Sequence, residues 1–267
     1  MNINTIYNES NITTLERMPD DFIDLTVTSP PYDNLRDYKG YTFDFENLAK
    51  LLYQKTKQGG VVVWVVGDAV VKGSETGTSF KQALFFMQCG FRLHDTMIYN
   101  RFGRFPDSTR YRGDFEYMFI LSKGKPKTFN GIKDRKNKKV GISTFSSERD
   151  RNGGMVYPKS ERRIKAYGCR GNIWQFNTGL NCSTKDSIAF KHPAIFPEKL
   201  ANDHIISWSN KDNIIYDPFM GSGTTAKMAI LNNRNYIGSE ISAEYCEISQ
   251  IRINDAIATQ NSKLFNE

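Results

Sequence analysis

Apolar positions along this chain fall alternately into short β-branched runs and into stripes at helical spacing. In DDFIDLTVTSPPY the run Ile23–Thr28 is rich in Ile, Val and Thr and stops at a double proline, which predicts a buried strand ending in a loop at Ser29–Tyr32. Phe45, Leu48, Leu51 and Leu52 recur at helical spacing, with Gly59-Gly60 as the expected stop. Val61–Val66 is continuously apolar, the mark of a strand covered on both faces. Phe80, Ala83, Leu84 and Met87 form an i, i+3, i+4, i+7 stripe, the expected inner face of a second helix ending at Gly90. TMIYN and FEYMFILS then predict a hairpin or edge pair joined by a long polar loop. Further on, PEKLANDHIISWS reads as a helix, NIIYDPF as a strand, TTAKMAILNN as a helix and NYIGSEI as a short strand. Ser242 is the expected N-cap of a last helix running through Ile257. This order implies an α/β fold whose central sheet is largely parallel, with helices on both faces.

The pattern breaks between Lys123 and Asp186, where periodicity gives way to Gly, Lys and Arg. That stretch carries sixteen Lys or Arg against five Asp or Glu, or +11, while the whole chain carries +7; the remainder therefore holds −4. A basic block on a mildly acidic body suits a polyanion docking at one place, and a solvated charged loop would look the same by charge alone. The expected organisation is residues 1–122 as the first part of one α/β domain, 123–186 as a basic insertion with a weak core, and 187–267 as the rest of the same domain. No apolar run approaches the roughly 20 residues of a membrane span, and MNINTIYNES lacks a signal peptide's basic start and apolar stretch, so a cytoplasmic location is expected. The four cysteines are scattered without a CxxC pair and the three histidines without an HExxH pair, so neither a metal site nor a disulfide framework is expected.

Two motifs carry the chemistry. Asp217-Pro218-Phe219-Met220-Gly221-Ser222-Gly223-Thr224-Thr225 lies between a predicted strand and a predicted helix. Glycines there let backbone pass close to a ligand, and the helix N-terminus offers unpaired N–H groups. By itself such a turn could bind a phosphate, a dinucleotide or nothing; it lacks the Lys of a P-loop and departs from GxGxxG. Glu240, at the end of the next strand, is placed to hydrogen-bond ribose hydroxyls. The second motif, Thr28-Ser29-Pro30-Pro31-Tyr32, sits at the carboxyl end of the first predicted strand, where open α/β sheets bind ligands. Its prolines remove two N–H donors and leave rigid carbonyl acceptors, and Tyr32 adds a stacking face; a mere sharp turn would also fit this segment alone.

Taken together, an SPPY loop followed by DPFMGSGTT, with a basic segment between, resembles the beta class of amino DNA methyltransferases. MPDDFIDLTVTSPPY, GNIWQF (Gly171–Phe176), KHPAIFPEKL (Lys191–Leu200) and NYIGSEI are similar to that family's segments, so the resemblance runs over most of the chain. It implies a Rossmann-like fold that binds S-adenosyl-L-methionine. Asp217, Phe219, Gly221 and Gly223 would line the methionine part of the cofactor, with Ser222 and Thr224 supporting the turn. Glu240 would hold the ribose, and His192, Pro193, Phe196 and Pro197 would shape the pocket from the other side. Ser29 and the Pro30 carbonyl would accept the two amino hydrogens of the target base; Pro31 would stiffen the loop and Tyr32 would stack on the base. The partner implied is double-stranded DNA, with room for a cognate restriction endonuclease. In the basic segment Arg149, Arg151, Arg162, Arg163 and Arg170 are the candidates for phosphate or base contacts.

Physical chemistry supports these roles. An exocyclic amino nitrogen is a poor nucleophile because its lone pair is delocalised into the ring. Two acceptors off the ring plane favour a pyramidal nitrogen, so positioning and electrostatics suffice without a covalent intermediate. Attack at cytosine C5 would need a thiolate, and none of the four cysteines follows a proline as that chemistry's loop requires. Ser29 and HPAIFPEKL lean towards N4 of cytosine, with N6 of adenine as the alternative. A DNA-binding module without catalysis, or transfer to RNA or a protein amide, are more distant alternatives.

Overall fold

The computed structural model describes residues 1–31, 43–101, 109–144, 147–157 and 162–264. Two compact units divide the chain, one made of residues 1–130 and 172–267, the other of 131–171. The larger unit contains β1 (Thr5–Tyr7), α1 (Asn11–Arg17), β2 (Ile23–Thr28), α2 (Phe45–Lys55), β3 (Thr56–Val66) and α3 (Thr78–Gln88). It continues with β4 (Arg92–Asn100), β5 (Phe115–Ser122), β6 (Ile173–Gln175), a 3₁₀ turn at Ser187–Lys191 and α4 (Glu198–Trp208). β7 (Ile214–Asp217), α5 (Thr224–Leu231), β8 (Asn235–Ser239) and α6 (Ala243–Leu264) complete it. No helix among the described residues is long and apolar enough to cross a membrane.

Eight strands form one sheet in the order β1-β8-β7-β2-β3-β5-β4-β6, every pairing parallel except those of β5. The chain leaves β2 towards β3 on one side and leaves β7 towards β8 on the other. The order therefore reverses between β2 and β7, and a crevice opens beyond their carboxyl ends. Helices α1 to α3 pack on one another and α4 to α6 on one another; with right-handed crossovers running in opposite directions, the two groups cover opposite faces. This is the expected α/β architecture. β5 reverses because the segment between β4 and β5 returns the chain as a hairpin, so the first residues of β5 lie at the same end of the sheet as the last residues of β4.

Three expectations change in the fold. Gly59-Gly60 do not stop α2, which ends at Lys55 with the Thr56 hydroxyl donating to the Leu52 carbonyl at 2.6 Å. The two glycines lie inside β3, Gly59 at φ +83°, and a Cβ on Gly60 would meet the Asp24 carbonyl at 3.0 Å. Helix α3 is turned away from its expected face. It buries Ser79, Gln82, Ala83 and Phe86 and leaves Phe80, Leu84 and Met87 49%, 59% and 44% exposed. Polar partners decide that orientation: the buried Trp64 indole donates to Gln82 Oε1 at 2.8 Å, and Ser79 donates through N and Oγ to Asp68. Phe86 then packs edge-on against Phe45, Trp64 and Phe91 in the core. Finally, α6 runs to Leu264 and not to Ile257.

The smaller unit is narrower than the expected insertion of residues 123–186. Lys123 and Lys127 continue the ladder of β3 by donating to the Gly60 and Gly59 carbonyls, and Ile173–Gln175 pair with Ile98–Asn100 as β6. Both flanks therefore belong to the sheet. What remains, 131–171, is a nested antiparallel arm: Arg135–Lys136 pairs with Tyr167–Gly168, Ser143–Thr144 with Arg162–Arg163, and Glu148–Arg149 with Met155–Val156. Val140, Ile142, Met155, Val156 and Tyr157 are all exposed, so the arm has little core of its own.

The orientation of α3 is testable. Phe86→Ala should cost about 3–5 kcal/mol by cavity formation, whereas Leu84→Lys should stay within about 0.5 kcal/mol of the parent, both read by urea denaturation. A large loss from Leu84→Lys would mean that the stripe read from periodicity is the buried one.

Candidate active site

Asp217 ends β7 and is 5% exposed. Thr28, the last residue of β2, donates its hydroxyl to Oδ1 at 2.6 Å; Thr225, in the first turn of α5, donates to Oδ2 at 2.7 Å; and the Phe219 N–H donates to Oδ1 at 3.0 Å. One side chain thus ties together the ends of two adjacent strands and the start of a helix. Burial pushes its pKa up, and those three donors work against the rise.

The chain then turns through Gly221 at φ +52° and Gly223 at φ +80°, conformations that disfavour any residue with a Cβ. Gly221 N–H donates to Glu240 Oε2 at 2.9 Å, and Ser242 N–H donates to Oε1 at 2.8 Å, so Glu240 just beyond β8 clasps the turn. Burial raises the Glu240 pKa against these backbone donors, and the neighbouring Asp217 charge raises it further. A Cβ on Gly221 would stand 3.0 Å from His192 Nε2, and one on Gly223 would stand 2.9 Å from Ser249 Cβ. His192 is held by Ala194 through Nδ1 and packs edge-on against Tyr245 at 4.4 Å between ring centroids.

A cavity of about 980 Å³ opens beyond these strand ends. Ser29, Pro30 and Pro31 line it from the end of β2; Asp217, Phe219, Gly221, Ser222 and Thr224 from the turn; Glu240 from the end of β8; and His192, Pro193, Phe196 and Pro197 from the segment before α4. The two motifs stand at opposite ends of the sequence and face one space. Tyr32 lies outside the described residues. Gly223 does not line the cavity; its positive φ and its close approach to Ser249 place it in the packing of the turn against α6.

Pattern reading missed the support beneath the turn. Arg252 of α6 is fully buried and donates to the Ser222 carbonyl at 2.5 Å, to Asp186 Oδ2 at 2.8 Å and to Glu198 Oε1 at 2.6 Å. Lys227 of α5 binds the same two carboxylates at 2.7 and 2.8 Å. Burial opposes ionisation of Asp186, but Arg252 and Lys227 outweigh it and hold its pKa below the ordinary value. A signal did exist: Arg252 falls on the inner stripe of α6 with Ile248, Ser249, Ile253 and Ala256, where an unpaired cation could not stay. Tyr99, Arg101 and Glu116 also line the cavity and belong to neither motif.

In the smaller unit Arg149, Arg151 and Arg163 are exposed, and only the backbone of Arg162 is described. Arg170 differs, because its guanidinium is paired with Asp134 and is 18% exposed. That pairing closes the base of the arm and counts against a free base-reading role. Among the described residues, no group of three or more His, Cys, Asp or Glu is placed to hold a metal ion.

The chain is similar over most of its length to known DNA methyltransferases. A family model described as DNA methylase, for N6 and N4 methyltransferases, matches residues 23–251. The orphan methyltransferase M.BamHII of Bacillus amyloliquefaciens is 59% identical over 247 residues, covering 91% of this chain and 92% of its own length. The DNA adenine methyltransferase YhdJ of Escherichia coli K12 is 24% identical over 258 residues, covering 94% of this chain and 83% of its own. Among solved structures, the PvuII DNA methyltransferase, described as cytosine-N4-specific, superposes with a TM-score of 0.68 at 20% identity, over 97% of this chain and 93% of its own.

The buried ion network is testable independently of chemistry. Arg252→Met should destabilise the protein by about 3–5 kcal/mol, because Asp186 and Glu198 lose a buried partner. Denaturant unfolding of the variant measures this, and a change below about 1 kcal/mol would remove Arg252 from the support of the turn.

Proposed function

This chain belongs to the N6/N4 DNA methylase family, in its beta class, and we propose that it methylates the exocyclic N4 of a cytosine flipped out of duplex DNA. The family's methyl donor is S-adenosylmethionine. The observation that carries the reading is the shared cavity: the Ser29-Pro30-Pro31 loop and the Gly221–Thr224 turn with Glu240 border one space of about 980 Å³. That volume is at the upper end of the roughly 300–1,000 Å³ range of small-molecule sites, which suits a cofactor and a base together.

The residues present fit the cofactor. The tight turn admits a ligand against its backbone, Thr224 at the start of α5 lines the cavity, and Glu240, which also lines it, is the acceptor assigned to the ribose hydroxyls. When bound, the cofactor supplies an electrophilic methyl group on a sulfonium. Ser29 Oγ and the Pro30 carbonyl accept the two amino hydrogens, which orients the nitrogen lone pair out of the ring plane. The same two dipoles stabilise the positive charge that develops on nitrogen during transfer. Pro31 keeps the loop from donating a backbone hydrogen bond there, and Tyr32 supplies the stacking face for the extruded base.

Ser at the first position of the loop and the segment His192–Leu200 support cytosine over adenine, and the name of the PvuII enzyme runs the same way. The adenine enzyme YhdJ supports N6 of adenine as the second reading. The word orphan in the name of the 59% identical relative favours a modification enzyme that works without a paired nuclease. Purified protein incubated with duplex DNA and labelled cofactor, followed by nucleoside mass spectrometry, should yield N4-methylcytosine. Ser29→Ala should keep its cofactor affinity and lose on the order of 10²-fold in rate. N6-methyladenine as the sole product would replace cytosine by adenine, and an unchanged rate in the variant would remove Ser29 as an acceptor.

The arm 131–171 carries twelve Lys or Arg against four Asp or Glu, a net +8, and we assign it to DNA recognition. Arg149, Arg151 and Arg163 are its exposed candidates for phosphates and base edges. Deleting 131–171 and joining Asn130 to Asn172 through a short Gly-Ser linker should preserve cofactor binding, since the sheet lies outside the deletion. DNA affinity and its steep salt dependence should fall, as measured by titration of duplexes at several salt concentrations. A deleted protein with the parent's salt slope would place recognition elsewhere.

A further inference from the structure

At the hairpin end of the sheet, Tyr99 of β4 stands directly across from Glu116 of β5. Arg101, two positions beyond Tyr99 and so on the same face, pairs with Glu116 at 2.8 Å between Nη1 and Oε1. All three line the cavity that Ser29 and Pro30 enter from β2. Tyr99 is 2% exposed and Glu116 7% exposed. The Tyr99 hydroxyl and the Arg101 Nε–H are both buried and have no hydrogen-bond partner among the described residues. Burial, with the Glu116 charge adding to it, raises the Tyr99 pKa, so the phenol keeps its proton and remains a donor.

Buried donors left unmade in a cavity wall are costly unless a ligand completes them. The ligand class follows from the charges. Arg101 is already neutralised by Glu116, so the pair does not call for a phosphate or a carboxylate. It calls for a neutral ring that accepts two hydrogen bonds. Ser29 and Pro30 line the same cavity, and in the function proposed above their hydroxyl oxygen and carbonyl are the acceptors for the amino group. The cavity is therefore bordered by the two proposed acceptors at the end of β2 and by two residues with unmade buried donors at the end of β4.

We propose that Tyr99 and Arg101, with Glu116 orienting the guanidinium, read the ring acceptors of the flipped target base and make the site selective for cytosine. The pairing edge of cytosine carries one amino group and two acceptors, N3 and O2. Adenine offers its amino group and N1, and then a C2–H that accepts nothing. With adenine, one of the two buried donors stays unmade; with cytosine, both are completed. This rests on the cytosine reading above and adds the residues that would enforce it.

The test uses the intact protein with its methyl donor. Product nucleosides from the parent come first: N6-methyladenine alone would defeat the cytosine reading itself, before the roles of Tyr99 and Arg101 are at issue. With N4-methylcytosine as product, Tyr99→Phe and Arg101→Lys are compared with the parent. The first removes only a hydroxyl; the second keeps a cation opposite Glu116 and removes Nε–H. Each should lower kcat/KM on duplex DNA by about tenfold or more, with unchanged cofactor affinity by calorimetry and an unchanged melting temperature. A duplex with 3-deazacytosine at the mapped target, which lacks the N3 acceptor, should be a slow substrate for the parent. On that duplex one of the two variants should show no further loss, because its donor has already lost its partner. Parent-like rates in both variants, or full further losses in both on the 3-deaza duplex, would overturn the proposal.

Discussion

The buried carboxylate of Asp217 is the constraint on which the rest of the site depends. It sits where β2 and β7 end side by side, and its oxygens take hydrogens from Thr28, Thr225 and the Phe219 backbone. A carboxylate removed from water is tolerated only when its oxygens are satisfied in this way. Satisfying them joins the lead-in of the SPP loop, the end of β7 and the start of α5 into one frame. The cavity is shared by the two motifs because that frame leaves them no independent freedom.

Around this frame the protein divides its polar groups by task. Glu240 clasps the Gly221 turn from within the cavity, and Arg252 holds Ser222 from the far side with Lys227, Asp186 and Glu198 around it. Because that outer network is completed internally, it stiffens the turn without competing for a ligand. Ser29 and Pro30 border the cavity from the end of β2, and Tyr99 and Arg101, whose buried hydroxyl and Nε–H have no partner among the described residues, border it from the end of β4.

Charge is segregated in the same fashion. The larger unit pairs cations with carboxylates at its strand ends, as in Lys55 with Asp20 and Lys57 with Asp24. The arm instead concentrates a net +8 on an extended, thinly packed hairpin. Little apolar burial holds such an arm, so its net charge is its most prominent physical property.

The strands and helices from β2 to β5 and from α4 to α6, the two motifs and the basic segment were legible in the sequence, because each is a local pattern: a β-branched run, a glycine turn, a cluster of like charges; β1, α1 and β6 were not. The flanks of the insertion, the face of α3 and the cavity wall were not. Residues 123–130 and 172–176 join the sheet or its supports through pairings with distant segments. Gln82 turns inward because Trp64, eighteen positions away, needs an acceptor. Tyr99, Arg101 and Glu116 belong to no motif, and they meet Ser29 only because β2 and β4 end, and β5 begins, at the same edge of one sheet. Local sequence determines which elements form and which chemistry is carried. The pairing of buried polar groups across elements decides which faces meet, since an unpaired donor or acceptor costs more than an apolar side chain loses by facing water.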